Sequence, residues 1–385
     1  MYTKERSIKK VETWSNGNAK IDKIIQESQI QWIPYDDIYA TKYIIDSEYY
    51  TFHLARLRNY MIDEREYRGV VALKELKDNR NDILEFIKEI KNNSSYSYCF
   101  AKFFGISKNP FTKNYIIVME SCRNTSHNCL SDIFRNVKWH SKIYSLQEII
   151  RGLNALHRNN LIHCDLHSRN ILIIDREKFE LTVNIDPDLC KLANDLILNP
   201  DNKNNNVYGS IPYLPPEVLR GNAFTKKGDI YSFGGIMYEA ATGNQPFSDQ
   251  AHDTYLMIDI CNGVRPKVPD MMLNFIPKCY LDTMYQCWDD DPSKRPTTDE
   301  LSDIIYLWKS SNIYEEFKYV ESNKKRMNKS HKKKLLRSFY NFHPQSCYIS
   351  RNIYTLYELK NSLEDIKSGK CADPNLYTCG MESSK

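Results

Sequence analysis

The chain has 385 residues, 41% hydrophobic and 26% charged, which suits a globular protein with one large core or two modest ones. No apolar run approaches a membrane span, and the charged stretch Met1 to Lys10 lacks the apolar region of a secretory signal. Eleven scattered cysteines with no C-x-x-C pair point to reduced thiols and to the cytosol or nucleus. The net charge of +4 is uneven: residues 322–357 hold nine Lys or Arg and no Asp or Glu, leaving the rest of the chain at −5 (+4 less nine positive charges).

In chain order, Ile21, Ile24, Ile25 and Ile30 predict a short amphipathic helix that ends at Trp32-Ile33-Pro34. Residues 36–125 read as strands with one helix. Tyr43 to Ile45, Tyr49 to Leu54 and Gly69 to Lys74 are strand-like, and Asn81 to Asn92 is a helix with Ile83, Phe86, Ile87 and Ile90 on one face. Tyr98 to Phe104 and Tyr115 to Met119 form an antiparallel pair around the Lys108-Asn109-Pro110 turn. Residues 126–310 are mostly helical. Ser145-Leu146-Gln147-Glu148 reads as a capping box, Asp229 to Thr242 as a helix ended by Gly243, and Met272 to Trp288 and Thr298 to Leu307 as two more, the first interrupted near Pro277. In the tail, 311–385, the basic cluster from Lys324 to Arg337 reads as a solvated, partly helical extension or as a patch for an anionic surface or an import receptor. Cys371 with Cys379, or His343 with Cys347, offers metal ligands but no complete set of four.

The stretch that organises the chain is Ile162-His163-Cys164-Asp165-Leu166-His167-Ser168-Arg169-Asn170-Ile171-Leu172. Apolar residues run in and out of a polar loop, which suits a site at the edge of a buried core. Asp165 and Asn170 stand five residues apart, a spacing that lets a carboxylate face a substrate hydroxyl while an amide oxygen ligates a metal. The loop resembles the H-R-D-x-x-x-x-N catalytic loop of protein kinases. Other matches follow in kinase order: Val71-Ala72-Leu73-Lys74, Pro215-Pro216-Glu217, Gly228-Asp229-Ile230-Tyr231-Ser232-Phe233-Gly234 and Arg295-Pro296. Together they imply an α+β, bilobal protein kinase fold, with a small β-rich lobe over about 36–122 and a larger helical lobe over about 123–310, between a lead-in (1–35) and the basic tail. The lead-in Trp14-Ser15-Asn16-Gly17-Asn18, Trp32-Ile33-Pro34-Tyr35 and His343-Pro344-Gln345 resemble an expanded fungal set of tyrosine-kinase-like kinases.

The resemblance implies roles. Phosphoryl transfer from ATP is mostly positioning and charge neutralisation. Lys74, paired with Glu89, would grip the phosphates, and Asp165 would accept the substrate hydroxyl proton. Asn170 and Asp186 would hold Mg²⁺. Ala72 and Leu172 would sandwich the adenine, with Met119 as gatekeeper and Glu120, Ser121 and Cys122 as hinge. Glu217 would pair with a buried Arg295, and Asp229 would buttress the loop. Taken singly, Lys74 reads equally as a surface lysine, Glu89 as a solvated helix position and Arg295-Pro296 as a turn.

The sequence also departs from the kinase pattern. Asp46-Ser47-Glu48-Tyr49-Tyr50-Thr51 stands where a glycine-rich loop should be and has no glycine, so side chains hold the backbone off the phosphates and two carboxylates add repulsion. The D-F-G position reads Asp186-Pro187-Asp188. Cys164 replaces the arginine that reads an activation-loop phosphate, and no Ser, Thr or Tyr lies between Asp186 and Val207. Gly209-Ser210 is Ser/Thr-kinase-like, whereas His167 replaces the lysine two residues after the catalytic aspartate. Three functions follow: a protein kinase acting on Ser or Thr (or Tyr) of a protein, a pseudokinase scaffold or allosteric partner, and an adaptor for nucleic acid or anionic membrane acting through the basic tail.

Overall fold

The computed structural model describes Lys23 and residues 31–46, 50–58, 61–62, 65–66, 70–77, 103–120, 130–175, 180–183, 191–192, 207–326 and 342–376. Apart from Lys23, the expected helices at 21–30 and 81–92, with Glu89, lie outside these residues. So do Ser121, Cys122, Asp186 to Asp188 and the basic run from Lys329 to Arg337. The chain divides into two compact units, residues 1–125 with 172–174, and residues 126–171 with 175–385.

The first unit is built on a five-stranded antiparallel sheet. Its strands are β1 (Ile38–Asp46), β2 (Tyr50–Leu57), β3 (Val70–Leu76), β4 (Phe103–Lys108) and β5 (Tyr115–Glu120), in the spatial order β1-β2-β3-β5-β4. The alternation of a strand sends Val71, Leu73 and Val118 to one face, where they pack with Ile33, Ala55, Leu57, Phe104 and Ile116. Ala72 and Lys74 therefore point to the opposite face. The expected pair around the 108–110 turn is present, but β4 runs on to Lys108 and the turn spans 109–114. Glu75 causes this. Its buried carboxylate accepts from Asn109 Nδ2 at 3.1 Å, from Asn114 Nδ2 at 3.2 Å and from Thr112 Oγ1, so the connection wraps round it. At Gly105 the chain ahead of the sheet comes close: a Cβ there would sit 2.2 Å from the Gln31 carbonyl oxygen, which accepts from Ile106 N–H at 3.0 Å.

The second unit is helical. It opens with α1 (Leu130–Asn136) and α2 (Trp139–Arg158). The predicted capping box at Ser145 is overturned, because α2 begins six residues earlier and Ser145 is buried inside it. Trp139 fixes the true start: its indole donates to Phe275 O at 3.2 Å and its ring packs edge-on to Tyr280 and Phe317. The helix α4 (Lys226–Thr242), which follows the single-turn α3 (Pro216–Leu219), is capped by Thr225 and ends at Gly243 in the left-handed conformation, φ 73°. Further helices are α5 (Thr254–Cys261), α6 (Asp270–Leu273), α7 (Lys278–Cys287), α8 (Thr298–Leu307) and α9 (Ser311–Arg326). Pro277 stands at the N-cap of α7, so the expected Met272–Trp288 helix is two helices.

Arg295 and Glu217 form the expected pair, bidentate at 2.7 and 2.8 Å, with the residues 1% and 9% exposed. The guanidinium also donates to Lys227 O and Asp289 O and lies over the Tyr231 ring, so four of its five hydrogens are satisfied away from water. Arg295→Leu leaves Glu217 buried without its counter-ion. The expected loss is about 3–5 kcal/mol, read as a lowered urea midpoint at unchanged slope.

Of the basic cluster only Lys324 to Arg326 is described, at the end of α9, and the rest of the described tail packs on the second unit. Phe317 of α9 is buried, and residues 342–376 fold back on the second unit with Cys347, Tyr348, Ile353, Leu359 and Ile366 buried. His252 is the clasp. Its Nδ1 lies 2.9 Å from Cys347 N and 2.7 Å from Cys347 O, its Nε2 lies 3.0 Å from Phe247 O, and its ring stands edge-on to Tyr348. Burial pushes its pKa down to about 4 against the pull of those backbone contacts, and the nearby Arg351 and His343 lower it further. A ring titrating lower folded than unfolded favours folding fully above the unfolded value of about 6.5, and that contribution drains away as pH falls toward 4. Thermal unfolding should therefore lose stability between about pH 6.5 and 4, and His252→Gln should flatten that part of the profile.

Candidate catalytic loop

The loop is held between β6 (Leu161–Ile162) and β7 (Ile171–Asp175). It is tied down from beneath by Asp229 of α4, which is fully buried. The carboxylate accepts from His163 N–H at 2.8 Å and Cys164 N–H at 3.0 Å, and His157 Nε2 lies 2.9 Å away. Two consecutive N–H groups can converge on one carboxylate only if the backbone turns, and Cys164 sits in the left-handed region at φ 65°. That conformation costs a non-glycine residue about 1–2 kcal/mol, which the charge-assisted hydrogen bonds offset.

Asp165 follows, buried, with its N–H donating to His163 Nδ1 at 3.3 Å. Asn170 Nδ2 donates to Asp165 O at 2.7 Å and to Asp165 Oδ2 at 3.1 Å. Nδ2 also lies 3.1 Å from His167 Nε2, so the amide nitrogen faces the aspartate and the imidazole, and Oδ1, a hard oxygen, is the atom suited to Mg²⁺. His167 Nδ1 accepts from Arg169 N–H at 3.2 Å, so the proton belongs on Nε2. Nε2 points at Ser350 Oγ, 2.8 Å away. Ser350 reaches in from the tail and its hydroxyl lies 2.8 Å from both Asp165 oxygens. A carboxylate only accepts, so the serine donates to it. Asp165 thus has a serine hydroxyl on it, braced by an amide on one side and an imidazole on the other.

In the first unit, Lys74 is 4% exposed on β3, which excludes the surface-lysine reading. Ala72 stands directly across from Met119 of β5, and Lys74 across from Ile117, so the proposed adenine and phosphate residues share one sheet face. Glu120 ends β5 and Leu172 lies on β7, and the side chains of both are outside the described residues. Among the described residues no cluster of three or more His, Cys, Asp or Glu is placed to bind a metal, so the His343–Cys347 reading gains nothing.

Three contributors were not among the sequence candidates. Ser350 is 185 residues from Asp165, and nothing in its local sequence marks it. His157 reads only as one more position on a helix. His167 was visible as a departure from the kinase pattern, but its partner was not.

A family model described as "Protein tyrosine and serine/threonine kinase" matches residues 40–305. The chain belongs to the protein kinase superfamily and has the α+β kinase fold. It is similar, at 30% identity over 265 residues, to stress-activated protein kinase alpha of Dictyostelium discoideum, with 63% of this chain and 39% of the relative covered. A Dictyostelium protein named "Probable serine/threonine-protein kinase" is 24% identical over 328 residues, covering 80% of this chain and 17% of the relative. A protein kinase and PP2C-like domain-containing protein of Arabidopsis thaliana is 31% identical over 179 residues, covering 40% of this chain and 27% of the relative. The chain therefore spans well under half the length of these relatives. No helix among the described residues is long and apolar enough to cross a membrane.

Asp229→Asn removes one acceptor oxygen from a site where three donors converge. The expected cost is about 1–3 kcal/mol, focused on the loop. Amide hydrogen exchange should speed up at His163 and Cys164, while the amides of α7 and α8 stay protected.

Proposed function

We propose that this chain is an active protein kinase that transfers the γ-phosphoryl group of ATP to serine or threonine of a protein. The observation that carries the reading is the hydroxyl–carboxylate contact at Asp165: a serine Oγ at 2.8 Å from the oxygens of a buried aspartate, the distance at which a general base takes a proton. Asp165 is the base, and Asn170 fixes its orientation. His167 takes the place of the usual lysine, donating from Nε2 to the acceptor oxygen. Asn170 Oδ1 and Asp186 would hold Mg²⁺, which would supply shielding for the charge on the phosphates. Lys74, with Glu89, grips the phosphates, and Ala72, Met119, Leu172 and the 120–122 hinge take the adenine. Serine or threonine is favoured over tyrosine because the hydroxyl seated at Asp165 belongs to a serine, and because one of the relatives is named a probable serine/threonine-protein kinase.

A pseudokinase scaffold is the second reading. It is favoured by the glycine-free stretch at 46–51 and by Pro187-Asp188. The basic segment 324–337 is a further candidate contact with an anionic partner.

Nucleotide binding and transfer separate these readings. Mg-ATP at about 100 times Kd should stabilise the chain by about 2.7 kcal/mol, and Lys74→Ala should remove the shift. Asp165→Asn should keep the thermal shift and lower transfer to a generic protein acceptor by about 10²–10⁴-fold. No shift at millimolar Mg-ATP, or transfer untouched by Asp165→Asn, would remove the enzymatic reading.

A further inference from the structure

Ser350 is more than a plug. We propose that residues 342–353 are a substrate segment supplied in cis, and that Ser350 is a phosphorylation site of the chain's own catalytic loop. The inference rests on the kinase reading above and adds its first acceptor.

The hydroxyl geometry comes first. Ser350 Oγ donates its only hydrogen to Asp165, at 2.8 Å from each oxygen, and receives the Nε2 hydrogen of His167 at 2.8 Å. One lone pair remains, on an oxygen whose proton already points at a base, which is the arrangement an attacking alcohol needs. The backbone presentation is also that of a bound peptide. Strand β9 (Arg351–Ile353) adds antiparallel to β8 (Val207–Gly209), with Gly209 opposite Arg351 and Val207 opposite Ile353. Extended peptides bind by adding a strand in this way, with pockets for alternate side chains. The pockets here are filled from the tail. Tyr348 is buried beside Tyr213 and donates to Pro246 O at 2.9 Å, Ile353 is buried, and Arg351 Nη2 donates to His252 O and Asn375 O.

The step balances with ATP as co-substrate. Ser350 Oγ attacks the terminal phosphorus, the Oγ–P bond forms, the bond from phosphorus to the bridging oxygen breaks, and ADP leaves with that oxygen. The serine proton passes to Asp165. The product places a phosphate of about −2 charge against the Asp165 carboxylate, so it repels the loop and frees the base for other hydroxyls.

The full-length chain is incubated with γ-labelled Mg-ATP, alone and with a generic protein acceptor. Phosphosites are mapped by mass spectrometry, and the initial rate is followed across a dilution series. The expected result is phosphate on Ser350, at a first-order rate independent of chain concentration, with self-labelling lowered by about tenfold or more in Ser350→Ala. Tyr348→Ala, which loosens the segment without touching the hydroxyl, should slow Ser350 labelling relative to acceptor labelling. Acceptor labelled and Ser350 unmodified would overturn the cis substrate and leave the kinase reading standing. Ser350 labelling that rises in proportion to chain concentration would overturn its intramolecular nature. No transfer to either would remove both readings.

Discussion

Asp229 is the constraint on which the catalytic loop depends. A carboxylate with no exposure to water must be compensated by donors, and this one has the N–H groups of His163 and Cys164 and a nitrogen of His157. Meeting two consecutive amides forces Cys164 to φ 65°, and that turn sends the next residue, Asp165, away from the helix and toward its hydroxyl partner. The loop's geometry is thus set from beneath by a fully buried residue of α4. The arginine usual at position 164 is replaced without loss of this frame, because the frame uses the backbone of that residue and not its side chain.

The same unit carries a buried ion pair, Glu217 with Arg295, that joins α3 to the segment ahead of α8. Its value lies more in geometry than in net stability, since desolvating two charges cancels much of their attraction. It holds the residues just after Tyr213, which themselves border the loop: Tyr213 hydroxyl contacts Ser168 Oγ at 3.3 Å and donates to Glu239. Buried polar groups here form one connected set from α4 to the loop, and such sets tolerate partial loss poorly.

The tail changes how access to Asp165 is governed. Kinase resemblance ends near residue 310, yet the segment 342–376 is anchored to the second unit through buried Cys347, Tyr348 and Ile353 and through Asn375, whose Nδ2 reaches Thr254 Oγ1 and Tyr354 O. A serine hydroxyl from within the chain therefore occupies the Asp165 carboxylate.

Much of the frame was legible in the sequence. The run Val71 to Lys74 is buried and strand-forming, and helix Thr298–Leu307 was bounded correctly, because local patterning and caps act over a few residues. Glu217 with Arg295 and Asp229 beneath the loop could be expected from motif order. Where α2 begins could not, since Ser145-Leu146-Gln147-Glu148 has the pattern of a cap, while the true start depends on Trp139 meeting Phe275, Tyr280 and Phe317 from distant parts of the chain. The sequence by itself determined the kinase class, the loop that carries Asp165 and Asn170, and the strand that carries Ala72 and Lys74. Only the tertiary structure decided what sits on Asp165. Ser350 reaches Asp165 across 185 positions through strand pairing and burial, interactions that leave no periodic or local trace.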